Sequence, residues 1–179
     1  MPVYDLVYLL NNYHPSNEER AFKERMLTFI QAHADCFERT LAEGHITASS
    51  WLLNKDGSKA LLMHHAKLNQ WFQLGGHCDG NPDVLAVAIK EAQEESGIND
   101  IVPVSTEIFD IDIHLIPARK QEAAHFHYDV RFLLQVASDE VIVPNHESHD
   151  LRWVGKNQDD IPPVGVSVTR MFHKWVQRS

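Results

Sequence analysis

The sequence predicts an α/β layered domain in which helices cover a mixed sheet. Three observations carry that expectation. Residues 1 to about 43 hold a helical period, and the chain from His45 onward turns to strand patterns. Among those strands stands one helix that is bounded by its own start and stop signals.

The chain of 179 residues is long enough for one domain with a sizeable core. Its 44% hydrophobic and 23% charged residues are those of an ordinary soluble globular protein. The net charge of -9 argues against broad binding of nucleic acid or of a membrane surface, both of which want a basic patch. A small anionic substrate stays open, because a metal ion can reverse the local field. Cys36 and Cys78 form neither a CxxC pair nor a disulfide framework, which fits a reducing cytoplasm. The opening MPVYDLVYLLNNYHP has one short apolar patch and no basic leader, so no signal peptide or membrane span is expected.

The elements follow in order. In SNEERAFKERMLTFIQAHADCF, Ser16 and Glu19 make a capping box. Phe22, Met26, Phe29 and Ile30 then form an apolar stripe that reads as a helix packed on the body of the protein. HITASSWLLN and KALLMHHA are strands separated by KDGS, whose Asp56-Gly57 pair signals a hairpin. WFQL is a short strand, and DLRWVG is another late in the chain. IVPVSTEIFDIDIHLIPA and AHFHYDVRFLLQVA read as two longer strands joined by a polar loop. The tail from about Val166 to Arg178 is helical, with Met171 and Trp175 one turn apart.

The central helix is expected at about 82 to 96. Asn81 is a good N-cap, Pro82 suits the first helical position, and Gly97 is a natural stop. Leu85, Ile89 and Ala92 give it an apolar face. Glu91, Glu94 and Glu95 share another face at spacings i, i+3 and i+4. Like charges so spaced repel by roughly 0.2–0.5 kcal/mol per pair, and they stand at the wrong end of the helix dipole for anions. A hard divalent cation would offset that repulsion, and a solvated acidic face is the plainer alternative. Gly75-Gly76, just before the helix, permits a turn closed to other residues and close approach of a ligand or metal.

At this point the chain resembles the Nudix hydrolases, whose box is written G-x5-E-x7-R-E-U-x-E-E-x-G-U with U aliphatic. Alignment on Gly76 and Gly97 places Glu91, Glu94, Glu95, Gly97 and Ile98 on matching positions without a gap. The chain departs from the box at Pro82 (for glutamate), Lys90 (for arginine) and Ala92 (at the aliphatic position). Lysine cannot reproduce the planar fork of arginine. The resemblance covers about residues 45 to 155. It implies a Nudix-type α/β/α sandwich over 44–179, ending in the C-terminal helix, with residues 1–43 as a helical extension packed on that core. The role of the extension stays open between dimerisation as a homodimer, a lid and substrate contact.

The resemblance also implies the chemistry: metal-dependent attack of water on a pyrophosphate bond in a nucleoside diphosphate derivative or related small metabolite. The cofactor would be Mg²⁺, with Mn²⁺ as a substitute. Gly75, Glu91, Glu94 and Glu95 would be metal ligands, and the partner a small phosphorylated substrate rather than a nucleic-acid polymer or a membrane. Glu147, six residues before Trp153, is a candidate ligand or general base, with Glu91 its rival as base. A second reading of the same fold is a ligand-binding or regulatory module weakened at Pro82 and Lys90.

In HFHYDVRF, strand alternation puts His125, His127, Asp129 and Arg131 on one face. That face would line a substrate site, with Arg131 holding phosphate and the histidines donating to it. A solvent-facing strand or an internal hydrogen-bonded network are the alternatives. His77 follows the glycine pair and is placed beside the phosphates. No zinc site is expected, since the histidine spacing and the two lone cysteines make no tetrahedral set. Trp51, Trp71 and Phe72 are read as core, and Cys78 as incidental.

Overall fold

The Asp56-Gly57 turn forms as the dipeptide dictates. Gly57 takes φ +76°, its N–H donates to the Asn54 carbonyl at 3.0 Å, and the strands on either side pair through Leu53 and Ala60. These strands are β1 (Gly44–Leu53) and β2 (Ala60–His65) in a computed structural model that describes residues 5–66, 68–144 and 150–178. The remaining strands are β3 (Gln70–Phe72), β4 (Leu74–His77), β5 (Ile101–Pro103), β6 (Asp110–Ile116), β7 (His125–Val136) and β8 (Leu151–Val154). The helices are α1 (Leu6–Asn12), α2 (Arg20–Ala32), α3 (Val84–Ser96) and α4 (Val166–Gln177).

Hydrogen bonding joins the eight strands along the path β3-β2-β1-β7-β5, with β4 on β1, β6 on β7 and β8 on β2. The expected α/β class, helices with a mixed sheet, is therefore the observed one. Two expected strands divide. WFQL contributes to both β3 and β4, and the run from Ile101 to Ala118 breaks into β5 and β6. The central helix starts at Val84 rather than 82, because the Asp83 carboxylate accepts the Ala86 N–H at 3.0 Å and acts as the N-cap. Asn81 instead accepts the Asp83 N–H, one step earlier.

Chain contacts divide the molecule into two compact units, and β1, β4, α3 and β7 contribute residues to both. The first unit comprises Met1–Ser49, Gly76–Ala88 and Thr106–Phe132. Its capping box is present at Ser16 and Glu19, heading a short 3₁₀ turn that leads into α2. Glu19 is fully buried and accepts from the Ser16 N–H, the Ser16 and Tyr13 hydroxyls and the Ile111 N–H, so its charge is well hydrogen-bonded. Met26 and Phe29 from the α2 stripe are buried, and the Phe29 ring stacks on Tyr128 at 4.0 Å.

The second unit comprises Ser50–Gly75, Ile89–Ser105 and Leu133–Ser179. Val168, Met171, Phe172 and Trp175 are the buried face of α4, and Trp175 packs on Trp51 with ring centres 5.9 Å apart. Gly97 ends α3 at φ +73°, and a Cβ there would collide with the Val143 carbonyl. Only glycine meets both demands.

Candidate functional site

In the second unit, the three box glutamates lie along the last turns of α3. Glu95 Oε2 accepts the Gly75 N–H at 3.0 Å, which ties the strand before the helix to its acidic end. Glu91 is largely covered, with 18% of its side chain exposed, while Glu94 is 53% exposed. Lys90 Nζ lies 3.0 Å from Glu94 Oε1 and 3.6 Å from Glu91 Oε1. The hydrogen bond that Lys90 donates to Glu94, helped by the charge of Glu91, raises the Lys90 pKa. The lysine that replaces the family arginine therefore still contacts the neighbouring glutamate, though as a point charge shared between two carboxylates. It also relieves part of the repulsion that the spacing creates. Lys90 and Glu94 are both well exposed, so their pair contributes little to stability. Lys90→Met should move the unfolding free energy by less than about 1 kcal/mol in a urea titration.

In the first unit, histidines gather from three strands that are far apart in sequence. The ring of His45 on β1 lies 5.1 Å from His77 on β4 and 4.9 Å from His127 on β7, centre to centre. His125 Nε2 is 3.3 Å from His127 Nε2, and His125 Nδ1 donates to the Ala123 carbonyl at 2.9 Å. His45, His77, His125 and His127 line a cavity of about 370 Å³ together with Arg39 and Arg119. Arg39 is held in a two-pronged pair with Asp79 at 2.6 and 2.7 Å.

A family model described as the NUDIX domain matches residues 44–166. The chain belongs to the NUDIX family. Two curated relatives, both named "Putative 8-oxo-dGTP diphosphatase 3" and from the CDC 1551 / Oshkosh and ATCC 25618 / H37Rv strains of Mycobacterium tuberculosis, are 28% identical over 114 residues, which is 60% of this chain. The chain spans about half the length of these relatives. Among solved structures it is similar to a MutT NUDIX hydrolase from Burkholderia pseudomallei, at TM-score 0.57 and 20% identity, over 74% of this chain and 98% of the other. It is also similar to a C. elegans Ap4A hydrolase binary complex, at TM-score 0.57 and 18% identity, over 73% and 93% of the two chains. At these identities the likeness is one of fold.

Within this NUDIX domain the expected site residues divide between the two units. Gly75, Glu91, Glu94 and Glu95 belong to the second unit, and His77, His125 and His127 are in the first. Glu147 lies outside the described residues. Arg131 is a correction. It is 1% exposed and does not line the cavity. Its Nε donates to Asp129 at 2.7 Å, its Nη1 to Asp110 at 3.1 Å, and Nη2 is 3.8 Å from Asp112. Burial opposes its charge, but Asp129, Asp110 and Asp112 outweigh burial and raise its pKa. Its fork is engaged by carboxylates rather than presented to a phosphate. The reason is that β7 is buried on both faces from Tyr128 to Leu134, so alternation there separates two interiors rather than a wet face from a dry one. This is the internal network that was one of the alternatives.

Sequence reading missed His45, Arg39 and Arg119. No local pattern marks them, since they converge only through the sheet and its loops. His64 and His65 end β2, where His64 Nε2 lies 3.1 Å from Asn69 Oδ1 and His65 Nδ1 accepts the Leu68 N–H.

Burial holds three of these imidazoles, His45, His77 and His127, below the ordinary histidine range. Burial pushes the His45 pKa down to about 4, helped by the His77 and His125 rings and by Arg39, with Asp79 opposing. Burial pushes His127 down to about 3, with His114, His45, His77 and His125 adding to the effect. Burial also lowers His77. The unfolded chain titrates these groups near pH 6.5 and so binds more protons than the folded one between there and the folded values. Their contribution to stability is therefore complete above about pH 6.5 and is lost as the pH falls toward 4. For His45 alone the loss by pH 5 is about 2 kcal/mol. Urea midpoints in EDTA at pH 7.5, 6 and 5 check this, and the decline should be shallower for His127→Asn.

Proposed function

We propose that this chain is a divalent-metal-dependent hydrolase that cleaves a pyrophosphate bond in a nucleoside diphosphate derivative or related small metabolite. The observation that carries this reading is the Gly75–Glu95 hydrogen bond, which anchors the glycine pair to a helix end bearing three box carboxylates. Family membership and the diphosphatase and hydrolase names of the relatives support it.

The donor set fits Mg²⁺, with Mn²⁺ as a substitute. It is composed of oxygens, as a hard cation requires: the carboxylates of Glu91, Glu94 and Glu95 and the Gly75 carbonyl. When bound, such an ion would act as a Lewis acid and template for the phosphate oxygens. Glu91, the more covered of Glu91 and Glu94, is proposed as the acceptor of a proton from water, a role that rests first on geometry. Lys90 touches Glu91 Oε1 and Glu94 Oε1 and so orients both. His77, His125 and His127, which line the cavity of the first unit, keep their proposed place as substrate-binding residues, since imidazole can donate and accept hydrogen bonds. Glu147 keeps its proposed place as a further ligand or rival base.

A cytoplasmic setting is part of the proposal. Both cysteines are buried free thiols, and burial pushes Cys36 up to about 11, where it is inert. Among the described residues no helix is long and apolar enough to cross a membrane.

The point charge of Lys90 in place of a fork favours a second reading, a ligand-binding module with weakened catalysis. One experiment separates the two. A panel of nucleoside diphosphate derivatives and dinucleotides is scored for phosphate-product release with Mg²⁺ and with EDTA, and for thermal stabilisation in parallel. Metal-dependent release is expected. Stabilisation without release across the panel would move the assignment to the binding module.

A further inference from the structure

The histidine cluster of the first unit holds more imidazole than a contact surface for a polar substrate requires. His45 is 3% exposed, and neither of its ring nitrogens has a hydrogen-bond partner. A buried ring in that state calls for an explanation, and an ion is one that satisfies its lone pair. The second observation is geometric. One donor atom each from His45, His77 and His127 lie within 4.8 Å of one another. Among the described residues this is the group of metal-ligating side chains so gathered, and the α3 glutamates are not.

We propose that His45, His77 and His127 form a three-nitrogen site for a borderline divalent transition ion, Zn²⁺ foremost, separate from the oxygen donors of α3. Tetrahedral Zn²⁺ with bonds of about 2.0–2.1 Å sets its ligand atoms about 3.3 Å apart. The nitrogens thus need to close by about 1.5 Å at most, a movement within reach of imidazole ring rotation. His125 and His127 already stand at 3.3 Å, and His125 donates from Nδ1 to a carbonyl, which leaves its Nε2 lone pair turned toward His127. That is the orientation second-shell bonds impose on metal-bound histidines. It makes His125 the nearest fourth ligand, and the cavity beyond it gives solvent or an anion access to the same position.

The surroundings are compatible with a dication. Arg39 and Arg119 both line the cavity, but the charge of Arg39 is partly offset by its two-pronged bond to Asp79, and Glu122 lines the cavity beside them. Nitrogen donors select Zn²⁺, Co²⁺, Ni²⁺ or Cu²⁺ over Mg²⁺. Spacing along the chain does not mark such a site, because its ligands come from three strands: β1, β4 and β7. The site stands independently of the hydrolase reading, since the nitrogens hold the ion whether or not a pyrophosphate is cleaved.

Co²⁺ titration of the tag-free, chelator-stripped full chain tests this. One equivalent should bind with the intense visible band of four-coordinate cobalt, and Zn²⁺ should displace it. His77→Asn and His127→Asn should each weaken binding by at least about 10–100-fold. The Glu94→Gln/Glu95→Gln double variant should keep the band. Ring ¹⁵N spectra of the wild type, which need no variant to fold, should show His45, His77 and His127 moving on addition of Zn²⁺. Absence of a four-coordinate band, its survival in both histidine variants, or its loss in the glutamate variant would overturn the proposal, as would unmoved histidine rings.

Discussion

Glu94→Gln and Glu95→Gln should each lower metal-dependent turnover by at least about 10–100-fold, the loss seen when even outer-shell partners of a metal are removed. The substitution keeps size and one oxygen but removes the negative charge that a hard cation needs. The two variants should differ in a second respect. Glu95 accepts the Gly75 N–H, so its glutamine variant also disturbs the anchoring of the glycine strand, whereas Glu94 meets Lys90 at the surface. Raising the Mg²⁺ concentration should therefore rescue Glu94→Gln more fully than Glu95→Gln. Metal titrations of initial rate measure both effects. Undiminished turnover in either variant would remove that glutamate from the ligand set.

The largest effect on stability is expected at Arg131. Arg131→Met should destabilise the fold by about 3–5 kcal/mol, because it leaves Asp110, Asp112 and Asp129 buried without their cation. Asp129 would still accept from the Thr47 and Ser49 hydroxyls at 2.8 Å, which offsets part of the loss. Arg131→Lys should recover only a fraction, since an ammonium cannot span Asp129 and Asp110 in one plane. Urea unfolding of the three proteins measures this. A shift below about 1 kcal/mol for Arg131→Met would mean that the network is as inconsequential as a surface pair.

Arg131 also shows how far sequence reading reaches. Alternation correctly places His125, His127, Asp129 and Arg131 on one face of β7. It does not say that this face changes from a cavity wall at the histidines to a sealed interior at the arginine. The signal was nonetheless present as a pair of segments. FDIDIH holds two aspartates and HYDVRF one aspartate and one arginine, and the ladder sets Asp110 opposite Arg131 and Asp112 opposite Asp129. Reading them together requires the β6–β7 register, which no single segment contains.

Local chemistry was the legible part. The Ser16–Glu19 box, the Asp56-Gly57 hairpin, the Gly97 stop and the stripe of α4 each depend on neighbours within a turn or so, and each stands where its residues put it. The Ile101–Ala118 run was misread as one strand because its β-branched residues favour extension throughout. Tertiary pairing decides where it breaks, as β5 and β6 join different stretches of β7. The His45 cluster was illegible for the same reason in stronger form. Its members are 32 and 50 residues apart along the chain, between His45 and His77 and between His77 and His127, and only the sheet joins them.

The central claim is that water cleaves a phosphoanhydride here under the control of a divalent ion. The direct measurement is turnover of the best substrate from the nucleotide panel in ¹⁸O-enriched water, with Mg²⁺ and then with EDTA, followed by the masses of both products. One solvent oxygen in one phosphate-bearing product, and no cleavage in EDTA, is the expected result. Products that carry no solvent oxygen, or cleavage that persists unchanged in EDTA, would contradict it.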